Sequence, residues 1–435
     1  MLVNIIVSVI VIVTLMVLFI RFLAISGINF PTTKLWGDFN KGIFNKKVSA
    51  DRKSYDASRN ECIKVAFLAL LFRIVVYIIS ALIMRVYMSN DDSLNFATFI
   101  GEWKKWDANN YIRIATLGYK GYQENGMYTT LVFFPLYAWI MRGFNLLFNN
   151  IELAALVVST LCYCIGCGFL YKVLTSEYGL DVAKKTIMYL SLFPFSFFLG
   201  SMMPEAAFFM ILAMEMYFIK EHKWVATGIV GILAALTRMQ GILVIVLALV
   251  EWFSYRKPFQ NRKGIVKNIF TEILPIFCTG IGSLIYLLIN YKVTGDPFKF
   301  LEYQKAIWNQ EAQWFGKTVS QLYDKTFSAD NIGFTRVTIW APEFFIFIIF
   351  LALIVYGVGK VHDKYMIFML AYLIMNYLPA WLLSAGRYMT VAIPAFIVMA
   401  VFSEKYKKAH EWIIVCNTLL FCMYLYGFLT WKQIM

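Results

Sequence analysis

A carboxylate flanked by aromatic side chains, Trp106-Asp107-Ala108-Asn109-Asn110-Tyr111, is followed by Ile114-Ala115 and Gly118-Tyr119 in a polar segment between two long apolar stretches. A charge in that setting marks a site more than it serves solubility. Glu205 follows Pro204 at the edge of another apolar stretch, Arg238 interrupts a third at Leu236-Thr237-Arg238-Met239-Gln240-Gly241, and Arg387-Tyr388 lies in a fourth. One carboxylate with scattered arginines suits sugar transfer from a lipid phosphate. A general base removes the proton of the acceptor hydroxyl, cations stabilise the departing phosphate, and displacement inverts the anomeric centre. Glycosidases need a second carboxyl as acid, but a phosphate leaves as a stable anion. In this scheme Asp107 is the base, and Arg238 or Arg387 is the phosphate partner.

The elements that must position these residues are helices in a membrane. Hydrophobic residues make up 60% of the 435, aromatic residues 18% and charged residues 15%, far from the soluble average. A hydrocarbon layer of roughly 30 Å needs about 20 apolar residues per helix, and the chain offers such runs repeatedly. The expected fold is an all-α polytopic membrane protein of roughly 11–13 membrane helices, some of them short re-entrant hairpins. The net charge of +14 comes mainly from short basic segments between apolar runs, so topology explains it better than nucleic acid does.

If the basic segments around 34–64, 172–185, 220–223, 256–267, 360–364 and 405–408 all face the cytoplasm, every apolar stretch between two of them crosses an even number of times. The stretch Val225 to Trp252 is too short for two full spans and becomes a pair of half-helices bending near Thr237–Gly241. By the same parity Ile187 to Ile219 bends at Met203-Pro204-Glu205, and Met366 to Phe402 bends at Ser384–Tyr388. Outer loops fall at about 89–128 and 291–336, and the run from Phe133 to Phe148 adds no net crossing. Leu2 to Ile20, with Arg21 behind it, reads as a retained anchor whose N-terminus lies outside. Residues 1–64 form this anchor and a basic cytoplasmic linker, and 65–435 form the catalytic membrane domain.

His222, His362 and His410 fall in cytoplasmic loops under this topology, which leaves the outer face without an imidazole for a Ser-His triad or a His-based metal site. Cys162, Cys164 and Cys167 lie within an apolar stretch and read as packing groups. No ligand spacing specifies a metal, so the default is metal-independent chemistry without a cofactor.

The residues also carry a resemblance. Trp106-Asp107-Ala108 through Gly118-Tyr119, Phe133-Phe134-Pro135-Leu136-Tyr137, Pro204-Glu205-Ala206, Leu236-Thr237-Arg238 with Gly241, Gly295-Asp296-Pro297 with Phe300, Gln304 and Trp308, and Arg387-Tyr388 resemble the PIG-V-like mannosyltransferases in order and spacing. The resemblance covers roughly Lys64 to Phe402. It implies a GT-C superfamily enzyme taking sugar from a polyprenyl-phosphate donor at the outer or lumenal face, with a catalytic Asp in the first outer loop that maps to Asp107. Eukaryotic members add mannose to the glycolipid precursor of GPI anchors. This chain departs by having Met203-Pro204-Glu205 where their pattern commonly reads Tyr-Ser-Glu, and by its extra N-terminal span.

The candidate donor- and acceptor-binding residues are Trp106, Tyr111, Glu205, Arg238, Gln240, Asp296, Gln304, Trp308, Arg387 and Tyr388. Each has a plainer alternative. Asp107 could pair with Lys104 or Lys105 in an aromatic belt, and Glu205 could serve the helix dipole. Arg238 could belong to a structural ion pair, Arg387 could snorkel, and Asp296 could be a turn residue. Arg73, in mid-span, is expected to pair with an acidic residue on another helix. The expected partners are membrane lipid, a polyprenyl-phosphate-linked sugar, and a glycan, lipid or protein acceptor, in the plasma membrane of a bacterium. A non-catalytic transporter or flippase for lipid-linked sugars is the alternative.

Overall fold

Backbone polar groups in hydrocarbon must be satisfied within the segment itself, which selects helices. The computed structural model describes residues 1–28, 54–87, 95–261, 264–328 and 333–434. Among these the chain is helical, with only two isolated bridges of extended pairing. Six helices are long and apolar enough to cross a membrane, and a pair bent by 42° makes a seventh at most. The expected 11–13 is reached only by counting shorter helices, which serve as half-spans around the bends.

The first two long helices are α1 (Leu2–Ile25) and α2 (Arg59–Tyr87). Residues 59–64 therefore belong to α2 and not to a linker, and 29–53 lie outside the described residues. The start of α2 has a local cause. In Ser58-Arg59-Asn60-Glu61 the Glu61 carboxylate accepts from the Ser58 backbone N–H (2.8 Å), and the Ser58 hydroxyl accepts from Glu61 N–H (3.3 Å), a capping box. Helix α1 packs onto the bundle: Trp314 Nε1 donates to Ser8 (2.7 Å) near one end, and Arg21 forks onto Asp363 (2.5 and 3.0 Å) near the other.

Two short helices follow, α3 (Phe96–Gly101) and α4 (Ala108–Leu117). Then come α5 (Pro135–Phe148) and α6 (Ile151–Tyr178). Pro135 opens α5, where its missing N–H costs nothing. Asn149 ends that helix in the left-handed region, and the Asn150 side chain caps α6 at Leu153 N–H. Tyr137 near the start of α5 donates to the Ala155 carbonyl and meets the Ser159 hydroxyl. So α5 runs back alongside the first turns of α6.

Next are α7 (Leu180–Leu192), α8 (Glu205–Lys220), α9 (Trp224–Thr237) and α10 (Val244–Arg256). The bend between α7 and α8 is longer than three residues and contains a tight helical turn, Ser196–Gly200. Between α9 and α10 the chain folds back at Gly241, where a Cβ would lie 2.0 Å from the Ala234 carbonyl oxygen. Only glycine permits that approach.

The bent pair is α11 (Ile265–Phe277) with α12 (Gly280–Thr294), and it leads to α13 (Lys299–Trp308) and α14 (Phe315–Phe327). The remaining elements are α15 (Ala341–Gly357), α16 (Asp363–Tyr377), the five-residue α17 (Ala385–Met389), α18 (Ile393–Lys405) and α19 (Lys407–Leu429). The bends at Pro204, Arg238 and Arg387 gather at one end of the bundle. Glu177, His222, Glu251 and Lys364 gather at the other. This grouping matches the parity expectation.

Candidate functional site

The base candidate is set by a strained residue. Trp106 has φ +53°, a left-handed conformation that is unusual for a bulky side chain and persists only where its surroundings over-determine it. Asp107 then occupies the N-cap position of α4, where an Asp side chain ordinarily accepts from the first turn. It makes no such hydrogen bond. Its Oδ2 instead lies 2.7 Å from Arg387 Nη2. The alternative pairing with Lys104 or Lys105 is not found: Lys104 binds Glu152 (2.5 Å) and Lys105 binds Glu102 (3.0 Å).

Glu205 opens α8 and is fully buried, while the Asp107 side chain retains 23% exposure. Both arginines converge on one oxygen of Glu205. Arg238 Nη1 donates to Oε1 at 2.9 Å. Arg387 Nε lies 3.1 Å from the same atom, close enough for charge attraction but not aligned as a hydrogen bond. Glu205 Oε2 and Arg387 Nε therefore lack hydrogen-bond partners. Two carboxylates and two guanidiniums bring the cluster to formal neutrality. Burial works against the charged form of Arg387, but the neighbouring Asp107 and Glu205 outweigh it and hold its pKa well above the usual arginine value. Arg387 is a cation at any working pH.

This cluster forms the floor of a cavity of about 160 Å³. Trp106 and Tyr111 line it from the first loop, Gln240 and Arg238 from the α9–α10 bend, and Arg387 and Tyr388 from α17. Gln304 and Trp308 of α13 close the other side. Tyr388 packs its ring under Arg238, 4.5 Å from the guanidinium carbon. Gln240 donates to Asn376 (2.7 Å), and Gln304 donates to Gln310 (3.0 Å). Phe133 ties the walls together, edge to face with Tyr111 (5.3 Å) and Trp308 (5.7 Å). Burial pushes the Tyr111 phenol well above its ordinary pKa, so it stays protonated.

Asp296 is the one candidate not brought to this cavity. It is exposed, and its Oδ1 accepts from Phe298 N–H at 2.8 Å. That is an Asx turn, so the turn chemistry of Gly-Asp-Pro decides its place. Arg73 also departs from expectation. Among the described residues no carboxylate pairs with it. Nη2 donates to the Ser196 carbonyl (3.3 Å), and the guanidinium lies 4.5 Å from the Tyr163 ring. A carbonyl and an aromatic face stand in for the anion.

Glu343 is a residue that sequence reading missed. It is buried at the start of α15, and both of its oxygens accept from Ala385 N–H at 2.8 Å. This contact fixes the first residue of α17, which carries Arg387. Pro342-Glu343 ahead of an apolar helix repeats the Pro204-Glu205 pattern, and that repetition was the available signal. Among the described residues no group of three or more His, Cys, Asp or Glu side chains could hold a metal ion.

The fold and this cluster define an all-helical integral membrane protein with an ion-paired cavity at one end, an architecture consistent with the GT-C type. Residues 134–279, about a third of the chain, match the family model for dolichyl-phosphate-mannose-protein mannosyltransferase, which supports a membrane glycosyltransferase of mannosyltransferase kind. The matched span carries Glu205, Arg238 and Gln240 but not Asp107 or Arg387. No curated protein and no solved structure matches the chain.

Proposed function

We propose that this protein is an inverting glycosyltransferase that moves a mannosyl or related hexosyl unit from a polyprenyl-phosphate sugar to a hydroxyl acceptor at the outer face of a bacterial plasma membrane. One observation carries the reading. The Arg387 guanidinium bridges Asp107 and Glu205 at the edge of a cavity that a second cation, Arg238, also lines.

The acceptor oxygen attacks the anomeric carbon as its proton passes to Asp107. The bond from that carbon to the phosphate oxygen breaks, and polyprenyl phosphate leaves with the electron pair. Arg238 and Arg387 stabilise the charge that develops on it. Glu205, buried at the cavity floor, holds both cations in place.

The resting ion pair matters for the base. Asp107 rests 2.7 Å from the Arg387 guanidinium. An arriving phosphate competes for Arg387 and frees the carboxylate to face the acceptor hydroxyl. Asp107→Asn removes basicity with little change in volume. It is expected to lower transfer from polyprenyl-phosphate mannose in proteoliposomes by about 10²–10⁴-fold while thermal unfolding and donor binding stay close to wild type. Wild-type turnover by this variant would reject the assignment.

A further inference from the structure

The stretch that sets Asp107 is stitched to the far end of the chain. Lys105 is fully buried, two residues before Asp107. Its Nζ donates to the Leu429 carbonyl at 2.9 Å and to Glu102 Oε2 at 3.0 Å. Leu429 ends α19, where helix carbonyls lack intrahelical partners and a cation is favoured by the dipole. Trp431 Nε1 donates to the same Glu102 oxygen at 3.1 Å. The Trp431 ring lies 4.0 Å from the Lys105 ammonium and meets Trp106 edge to face at 6.2 Å. One turn deeper, Trp103 packs between Tyr77 (5.1 Å) and Phe428 (5.7 Å). Nothing in this chain of contacts reaches the cavity except Trp106.

We propose that Lys105 and Trp431 are positioning residues for Asp107, clasping the Glu102–Trp106 stretch to the end of α19 so that the carboxylate meets Arg387; the catalytic consequence rests on the reading of Asp107 as the base. Trp106 keeps a left-handed backbone, which needs support from several directions. The clasp supplies one of them through Trp431. Without it the stretch relaxes and Asp107 moves away from the reacting centre, where a displacement of about 1 Å can cost about 100-fold in rate.

The test uses the full chain in proteoliposomes, with Trp431→Ala, Trp431→Phe and Lys105→Met compared with wild type. Two readouts are taken: transfer kinetics from polyprenyl-phosphate mannose, and the rate of tryptic cleavage after Lys120, an exposed residue just beyond α4, the helix that Asp107 caps. Trp431→Ala and Lys105→Met are expected to lower kcat by about 100-fold with donor KM unchanged, and to speed cleavage after Lys120. Trp431→Phe keeps the ring and should restore most of both. A raised KM with kcat unchanged would make Trp431 a substrate contact and overturn the proposal, as would unchanged kcat and cleavage in all three variants. The cleavage readout needs no activity. Should wild type transfer nothing from this donor, faster cleavage in Trp431→Ala still supports the clasp and unaltered cleavage rejects it. The function itself is judged separately by Asp107→Asn.

Discussion

The bundle buries charge at both ends, and the two clusters are built differently. At one end Lys364 pairs with Glu177 (2.7 Å) and Glu251 (3.1 Å), Tyr365 adds a hydrogen bond to Glu177, and His222 adds one to Glu251. Arg21 and Asp363 form a forked pair beside it. None of the buried polar side-chain atoms in that cluster lacks a partner among the described residues. At the other end two arginines crowd one oxygen of Glu205, its second oxygen is unpartnered, and the cluster lines a cavity. A satisfied network locks helices together. An incompletely satisfied one keeps bonding capacity for a ligand, at a cost in stability.

That contrast can be broken at either end, beginning with the largest expected effect. Lys364→Met leaves two buried carboxylates facing each other without their cation. Removing one partner of a buried pair costs about 3–5 kcal/mol, so the thermal midpoint in detergent should fall well below wild type, with turnover per folded molecule preserved. A Lys364→Met protein that is fully stable but inactive would erase the distinction between the clusters. Arg387→Met also removes a buried partner and lowers the melting point, but unlike Lys364→Met it should lower kcat per folded molecule by about 10²–10³-fold, the scale for one transition-state donor. Stopped turnover and melting, measured on the same preparation, separate these cases.

Arg238→Ala is expected to weaken use of the donor by about 10–100-fold, the scale of a hydrogen bond to a charged group, and to leave acceptor dependence little changed. Initial rates with donor and acceptor varied in turn would show it; an unaltered donor dependence would return Arg238 to a structural role. Asp296→Ala should be the mildest, within about 0.5 kcal/mol in stability as for ordinary surface substitutions, and silent in transfer. A large kinetic defect there would mean that the loop reaches the substrate.

Much of this was legible in the chain itself. Apolar runs and basic segments dictate helices and their parity, because hydrocarbon forbids unsatisfied backbone and charge marks the ends. Parity put the bends at Pro204, Arg238 and Arg387 on a common side, whereas the capping box Ser58–Glu61 that starts α2 lies inside the segment read as a basic linker. Gly295-Asp296-Pro297 carried its own answer in its turn chemistry.

Pairing was not legible. Asp107 and Arg387 stand 280 positions apart, and the nearer Lys104 and Lys105 are the partners that sequence proximity suggests. Only the packed bundle decides that those lysines turn to Glu152 and Glu102 while Arg387 reaches Asp107. The same holds for Glu343 at α17 and for Lys105 at the end of α19. Helix formation depends on neighbours along the chain, whereas a buried charge is satisfied by whatever the tertiary fold sets within about 3 Å.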